Sequence, residues 1–318
     1  MTVRLVPPAL LIAAGLLAAG CGSQAVLAGP GTSGGHGILF VRQGHAAAAN
    51  WEPNGPIFLW QAGAPLRQLT KTQAADRPQW SPDGRQIVYV AAALVGNGKW
   101  NGEGPCQSFG CDYEIWVMRA DGGGRREVTR DVGNASDVAS RNSPSWSPSG
   151  GQIVYSRSYY NQFDDTLAVV SPGSGQERAL KVDGQYPIWG AGGIAYLSYG
   201  HGIQLLDPRT GTSKPFAPAA KSAVPSAWSK DGWLAAVAPQ GVAIYSSSGR
   251  LLRRLAPPNR RSPVCAVTWS PGGKRLLITA GRQPRQGWSY YDVYEVDPAG
   301  KHWKLLPIHP SLCTTSWR

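Results

Sequence analysis

Short apolar runs alternate with polar, turn-forming clusters along almost the whole chain beyond residue 37. Ile87-Val88-Tyr89-Val90 and Ile153-Val154-Tyr155 are typical. Runs this short, rich in β-branched and aromatic residues, predict strands rather than helices. The cluster before each run is nearly the same: Trp80-Ser81-Pro82-Asp83-Gly84, then Trp146-Ser147-Pro148-Ser149-Gly150. Looser copies are Trp189-Gly190-Ala191-Gly192-Gly193, Trp228-Ser229-Lys230-Asp231-Gly232 and Trp269-Ser270-Pro271-Gly272-Gly273, and Ser316-Trp317-Arg318 begins another. Pro presets φ, Asp bonds nearby backbone amides and Gly accepts positive φ, so each cluster predicts a tight turn between two strands.

A second hairpin follows each pair, turning at Ala120 to Gly123, Ser171 to Gly175, Asp207 to Gly211, Gly249 and Asp297 to Gly300. Four strands in a repeat of roughly 40 to 48 residues is the pattern of a β-propeller blade. Gly37 to Arg42 reads as the second strand of a blade whose third and fourth are Pro56 to Gln61 and Leu66 to Thr70. Its first strand is then Cys313 to Trp317, at the other end of the chain. The expected fold is all-β: six blades of four antiparallel strands, the ring closed by pairing the C-terminal strand with the N-terminal blade. The Trp at a fixed place in every repeat reads as a blade-packing residue rather than a stacking platform for ligands.

Pro78-Gln79-Trp80-Ser81-Pro82-Asp83-Gly84-Arg85-Gln86-Ile87-Val88-Tyr89, with Ile115-Trp116-Val117-Met118-Arg119-Ala120-Asp121-Gly122, resembles the repeat of TolB-like (PD40) propellers. The resemblance covers residues 37–318. It specifies the repeat type and leaves activity open, because such repeats are similar to those of TolB, of envelope lipoproteins and of oligopeptidase propellers. No counterpart of the small α/β domain that precedes the propeller in TolB is expected in residues 1–318.

Ala9 to Ala19 is apolar and follows Arg4, as in a signal peptide. It ends in Leu17-Ala18-Ala19-Gly20-Cys21, which resembles a bacterial lipobox, with Ala18 in place of the commoner Leu. The alternative is an ordinary cleaved signal with an incidental Cys. The expected organisation is a lipoprotein signal at 1–20, a lipid-anchored flexible tether at 21–36 and the propeller at 37–318. Cys21 is the expected lipidation site, and the chain is expected to be exported and held on the extracytoplasmic side of the cell membrane.

Export permits the remaining cysteines to oxidise. Cys106 and Cys111 flank a short loop. Cys265 and Cys313 each precede a marker Trp by four positions, which places them on adjacent inner strands. The pairs Cys106–Cys111 and Cys265–Cys313 are expected, although four cysteines allow three pairings and Cys265 and Cys313 can also be buried free thiols. The spacing does not suit zinc, and neither a metal nor another cofactor is expected.

The formal charge is +12. Arginines gather at Arg250, Arg253, Arg254, Arg260 and Arg261, and again at Arg282 and Arg285. The long connections, Ala91 to Asp112, Asp131 to Ser143, Ser158 to Asp165, Ala256 to Pro263 and Gly281 to Ser289, are all of the kinds that emerge on one face of a propeller. The expected partner surface combines Trp100, Tyr159, Tyr160 and Trp288 with Arg254, Arg260, Arg261, Arg282 and Arg285. The competing reading is that these arginines serve solubility or sit near anionic lipid. Nucleic acid is disfavoured by export.

No catalytic residues stand out. His36, His45, His201, His302 and His309 fall in unrelated places, and no Gly-x-Ser-x-Gly elbow precedes a helix. Asp164 and Asp165 are adjacent acids in a loop, which is not paired acid/base geometry. Asp83, Asp121, Asp231 and Asp297 are turn residues rather than calcium ligands. The residues thus favour a non-enzymatic scaffold for an envelope protein or peptide. The alternatives are a binder of an anionic glycan or small ligand at the channel mouth, and a propeller hydrolase or lyase.

Overall fold

A computed structural model describes residues 37–42, 55–71, 75–94, 111–130, 139–159, 165–259, 262–282 and 290–318; the side chains of 92–94, 111–112, 159, 282 and 290 fall outside that description. The described residues form strands and turns, with no helix.

Strands β1 (Ile38–Val41), β2 (Ile57–Trp60) and β3 (Arg67–Gln68) belong to the first blade. The second holds β4 (Ala75–Trp80), β5 (Gln86–Leu94), β6 (Cys111–Arg119) and β7 (Arg126–Glu127). The third holds β8 (Ala139–Trp146), β9 (Ile153–Tyr159), β10 (Thr166–Val170) and β11 (Glu177–Asp183). The fourth consists of β12 (Gln185–Gly190), β13 (Gly193–Ser198), β14 (Gly202–Leu206) and β15 (Ser213–Ala217). The fifth consists of β16 (Val224–Trp228), β17 (Leu234–Ala238), β18 (Gly241–Tyr245) and β19 (Leu251–Leu255). The sixth consists of β20 (Val264–Trp269), β21 (Leu276–Arg282), β22 (Tyr290–Val296) and β23 (Lys304–Leu305). The last strand, β24 (Thr315–Trp317), completes the first blade, in the order β24-β1-β2-β3.

The ring closes as the sequence predicts. Ile38 pairs with Trp317 and Phe40 with Thr315, and the Arg318 amide donates to the Gly37 carbonyl at 3.0 Å. A disulfide joins Cys265 on β20 to Cys313, just before β24, with Cα atoms 5.7 Å apart. The expected pairing of these two cysteines is therefore present. It fastens the sixth blade to the closing strand, where Thr279 and Thr315 also bond hydroxyl to hydroxyl at 3.0 Å.

Both faces of each blade are covered by neighbours, so middle strands such as β14 and β18 are buried along their whole length. This is why they read as continuous apolar runs. The core is a series of layers between blades. Leu39, Ile57, Ile87, Tyr89 and Met118 fill the first-to-second interface, and Val154, Leu167, Ile194 and Tyr196 fill the third-to-fourth.

The marker tryptophans fasten one blade to the next. The Trp80 indole N–H donates to the Gly37 carbonyl (3.3 Å), that of Trp146 to Gln79 (3.4 Å) and that of Trp228 to Ile188 (3.1 Å). Serines one position before a marker add to this: the Ser316 and Ser145 hydroxyls accept the backbone N–H groups of Trp80 and Trp189. The serine after a marker instead closes its own turn. Ser81, Ser147 and Ser270 each accept the N–H five residues on, from Gln86, Gln152 and Arg275.

A buried ionic cluster lies between the second and third blades. Arg141, its side chain 2% exposed, reaches Glu114 at 3.0 Å and Glu177 at 3.3 Å. Thr129 and Tyr155 donate their hydroxyls to Glu114 and Glu177, each at 2.5 Å. Every carboxylate thus has partners, as burial of charge demands. Burial and the adjacent Glu177 both push the Tyr155 hydroxyl pKa upward, so Tyr155 stays a neutral donor.

Candidate functional site

The cavity at the ring centre is built from the inner strands of all six blades. Arg77, Ser143, Tyr186, Pro225, Cys265 and Thr314 each contribute from a different blade, around a volume of about 280 Å3. All lie three or four positions before a marker Trp, on the inner strand or, for Thr314, just before it. The cavity therefore sits toward the end of the ring where the inner strands begin.

Register fixes what else gathers at that end. Ala75 pairs with Ala91, Ala139 with Tyr159 and Val264 with Ala280, so the start of each inner strand lies beside the end of the second strand. The chain between β5 and β6 spans residues 95–110, whereas β4 and β5 are joined at the opposite end by residues 81–85 alone. The connection between β5 and β6, one of those expected on a single elaborated face, thus joins its blade at the cavity end.

Each of five inner strands carries a bulge here, one extra residue against the second strand. In the second, third and fourth blades the bulge places a non-glycine residue at positive φ: Arg77 at 49°, Ser143 at 53° and Tyr186 at 52°. The local sequences correspond: Asp76-Arg77-Pro78-Gln79-Trp80, Asn142-Ser143-Pro144-Ser145-Trp146 and Gln185-Tyr186-Pro187-Ile188-Trp189. Oδ1 of Asp76 accepts the Arg77 N–H at 2.6 Å, and Oδ1 of Asn142 accepts the Ser143 N–H at 2.8 Å. The preceding side chain thus holds the left-handed residue in place. Non-glycine residues in this region store strain, typically about 1–3 kcal/mol each, and such residues cluster at binding sites.

Arg77 is the only charged side chain lining the cavity among the described residues. Its guanidinium lies 5.7 Å from the centre of the Tyr186 ring, a cation–π arrangement. Its Nε is buried without a hydrogen-bond partner, and the nearest carboxylate is Asp76 at 3.7 Å. Burial raises the Asp76 pKa, while the Arg77 charge and backbone N–H oppose that rise.

Beside the cavity, Asp165 accepts hydrogen bonds from the Ser158 hydroxyl and the Gln185 amide, joining third and fourth blades. The Gln185 carbonyl accepts from the hydroxyl of Tyr199 (3.1 Å), whose side chain is exposed at 67%. Asp165 is thus a bridging acceptor between the two blades. His309 faces Asp292 at 3.8 Å, and His302 bonds Asp297 at 2.8 Å in an outer turn.

Of the partner residues expected from sequence, Arg254 lies on β19, three strands out from the cavity, paired with Ala243. Tyr159 and Arg282 end β9 and β21 at the cavity face, with side chains outside the description. Trp100, Tyr160, Arg260, Arg261, Arg285 and Trp288 lie outside the described residues, as do Cys21 and Cys106, and so does the side chain of Cys111. The turn aspartates bond their own turns. The Asp83 carboxyl is held below its usual range by the Ser81 hydroxyl, that of Asp121 by the Gly123 N–H and that of Asp297 by the Lys301 N–H. No group of three metal-ligating side chains occurs among the described residues.

No family model and no curated protein matches the chain. Solved structures do. TolB from Acinetobacter baumannii superposes with a TM-score of 0.61 and 14% identity, over 89% of this chain and 66% of that one. Hydrazine synthase of Kuenenia stuttgartiensis gives 0.64 and 14%, over 90% and 46%. A chain of a nidogen/laminin complex gives 0.60 and 13%, over 89% and 98%. This chain thus spans just under two-thirds of the Acinetobacter TolB chain and under half of the hydrazine synthase chain. At these identities the likeness is one of fold. Six four-stranded blades and a first blade completed by the C-terminal strand make this chain a six-bladed β-propeller, similar in fold to TolB.

Proposed function

We propose that this chain is an exported lipoprotein, anchored through Cys21, whose propeller is a non-enzymatic scaffold. It binds an envelope protein or peptide on the face where the inner strands begin. The observation that carries this reading is that the long connection between β5 and β6, residues 95–110, joins its blade at that end, and what argues against catalysis is the lining of the central cavity. It offers one cation, an aromatic ring, hydroxyls and apolar side chains, with no carboxylate or imidazole among its described lining residues. Such a set can hold a ligand but supplies no general acid and base pair. The long connections on the same face widen the contact available to a macromolecule. The nidogen/laminin neighbour is a propeller found in a protein complex, in keeping with this use of the fold.

Purification of the full-length lipidated protein from its own envelope, with mass spectrometry of everything retained, tests the reading. A stoichiometric protein or peptide partner is expected. Recovery of a turnover activity that maps to this chain, or of a glycan alone, would overturn it.

A further inference from the structure

We infer that the central cavity is a separate site for a small hydroxylated carboxylate, of the size and chemistry of a sugar acid, held by Arg77. The site does not depend on the macromolecular partner proposed above.

Charge sets the ligand's sign. Arg77 is the one cation in the lining among the described residues, its side chain 33% exposed. Among the described residues its terminal nitrogens have no hydrogen-bond partner, and its buried Nε has none. Asp76 lies on the Nε side at 3.7 Å, while the guanidinium carbon sits over the Tyr186 ring, 5.7 Å from its centre. The edge formed by the two terminal nitrogens is what remains for a ligand. That edge matches the planar fork of a carboxylate. A dianionic phosphate would meet the same single cation with the Asp76 carboxylate close behind it, so the balance of charge favours a monoanion.

The rest of the lining sets the body of the ligand. Ser143, Ser226 and Thr314 present hydroxyls and Gln79 an amide, while Val224 and Val267 are apolar. Hydroxyls interleaved with small apolar surfaces suit a compact polyol, whose ring carries both O–H and C–H faces. The volume, about 280 Å3, is at the small end of ligand pockets and fits one such unit. The strained bulges hold Arg77, Ser143 and Tyr186 in place before a ligand arrives, which limits the ordering cost of binding.

Titration calorimetry of the full-length protein with D-glucuronate tests this, with D-glucose as the uncharged counterpart and N-acetylglycine as a carboxylate that models a peptide end. Glucuronate is expected to bind saturably and glucose not to bind. Arg77→Gln is expected to weaken glucuronate at least tenfold. Arg77→Lys, which keeps the charge but loses the fork, should weaken it several-fold with an unchanged melting temperature. Absence of glucuronate binding, or equal affinity in wild type and Arg77→Gln, would overturn the assignment. Binding of N-acetylglycine without glucuronate would overturn it too, moving the carboxylate to a peptide terminus.

Discussion

Arg77 stacks over the ring of Tyr186 at 5.7 Å, although a whole blade separates their strands. The contact spans the cavity because each residue sits at the bulge of its own inner strand, three positions before a marker Trp. The same backbone irregularity that bends the strands therefore places the cation of the site.

The bulges themselves can be tested. At Ser143, a β-branched residue should be far worse tolerated than glycine, because φ is 53° there. Ser143→Gly is predicted to melt at or slightly above the wild-type temperature. Ser143→Val is predicted to lose about 1–3 kcal/mol, as strained non-glycine positions do. Urea denaturation of the two variants checks the order, and equal stabilities would remove the strain argument.

Asp76 offers a test with a worked sign. Its pKa is raised from 3.8 in the folded chain, burial being the main cause. The folded state then holds this proton more tightly than the unfolded state. The carboxyl's contribution to stability accordingly falls as pH rises from 3.8 through the higher folded value. Asp76→Asn keeps an acceptor for the Arg77 N–H, as Asn142 does one blade on. Above that window the variant should equal or exceed wild type in urea midpoint, and the gap should close as pH approaches 3.8. A loss of more than about 1 kcal/mol at pH 7 would mean that the Asp76–Arg77 pair is net stabilising instead.

The architecture was readable because it is repeated. Each marker Trp, its turn and the apolar run after it recur often enough to define blades, and the unpaired strand at each end of the chain predicted the closure. The bulge pattern was also present in the sequence, as a polar residue, one variable residue, Pro, another variable residue and Trp in three successive blades. Its meaning was not, because periodicity reports burial and not the sign of φ. Nor could the partners of Arg141 be foreseen. Glu114 lies 27 residues away and meets Arg141 only when the second and third blades stack, while Glu177, 36 residues away, comes from the outer strand of the same blade. The bridge from Asp165 to Gln185 was hidden for the same reason, since Gln185 belongs to the next blade.

That ionic cluster should be sensitive to loss of its cation. Arg141→Met leaves the buried Glu114 and the partly exposed Glu177 without their counter-charge, and breaking a buried pair costs about 3–5 kcal/mol. Replacing Glu114 by Gln should cost less, because the amide still accepts from Thr129. Thermal unfolding of both variants gives the comparison, and a silent Arg141→Met would contradict the cluster's geometry.

The Cys265–Cys313 bond closes the seam across 48 residues. Loop-closure entropy over that length corresponds to a stabilisation of about 4 kcal/mol at most. Paired Cys265→Ser and Cys313→Ser changes should lower the urea midpoint while leaving the β-sheet circular dichroism intact. Reduction of the wild type should reproduce the loss. A seam held equally well without the bond would show no change in either experiment.

The central claim is that a macromolecular partner meets the face where the inner strands begin. A photo-reactive phenylalanine analogue at Tyr199, exposed on that face, can be compared with one at Arg209. Arg209 lies in the turn at the opposite end of the same blade and is 85% exposed. After irradiation of the full-length protein in its native envelope, position 199 is predicted to capture one discrete protein and position 209 none. Capture at 209 with none at 199 would contradict the account.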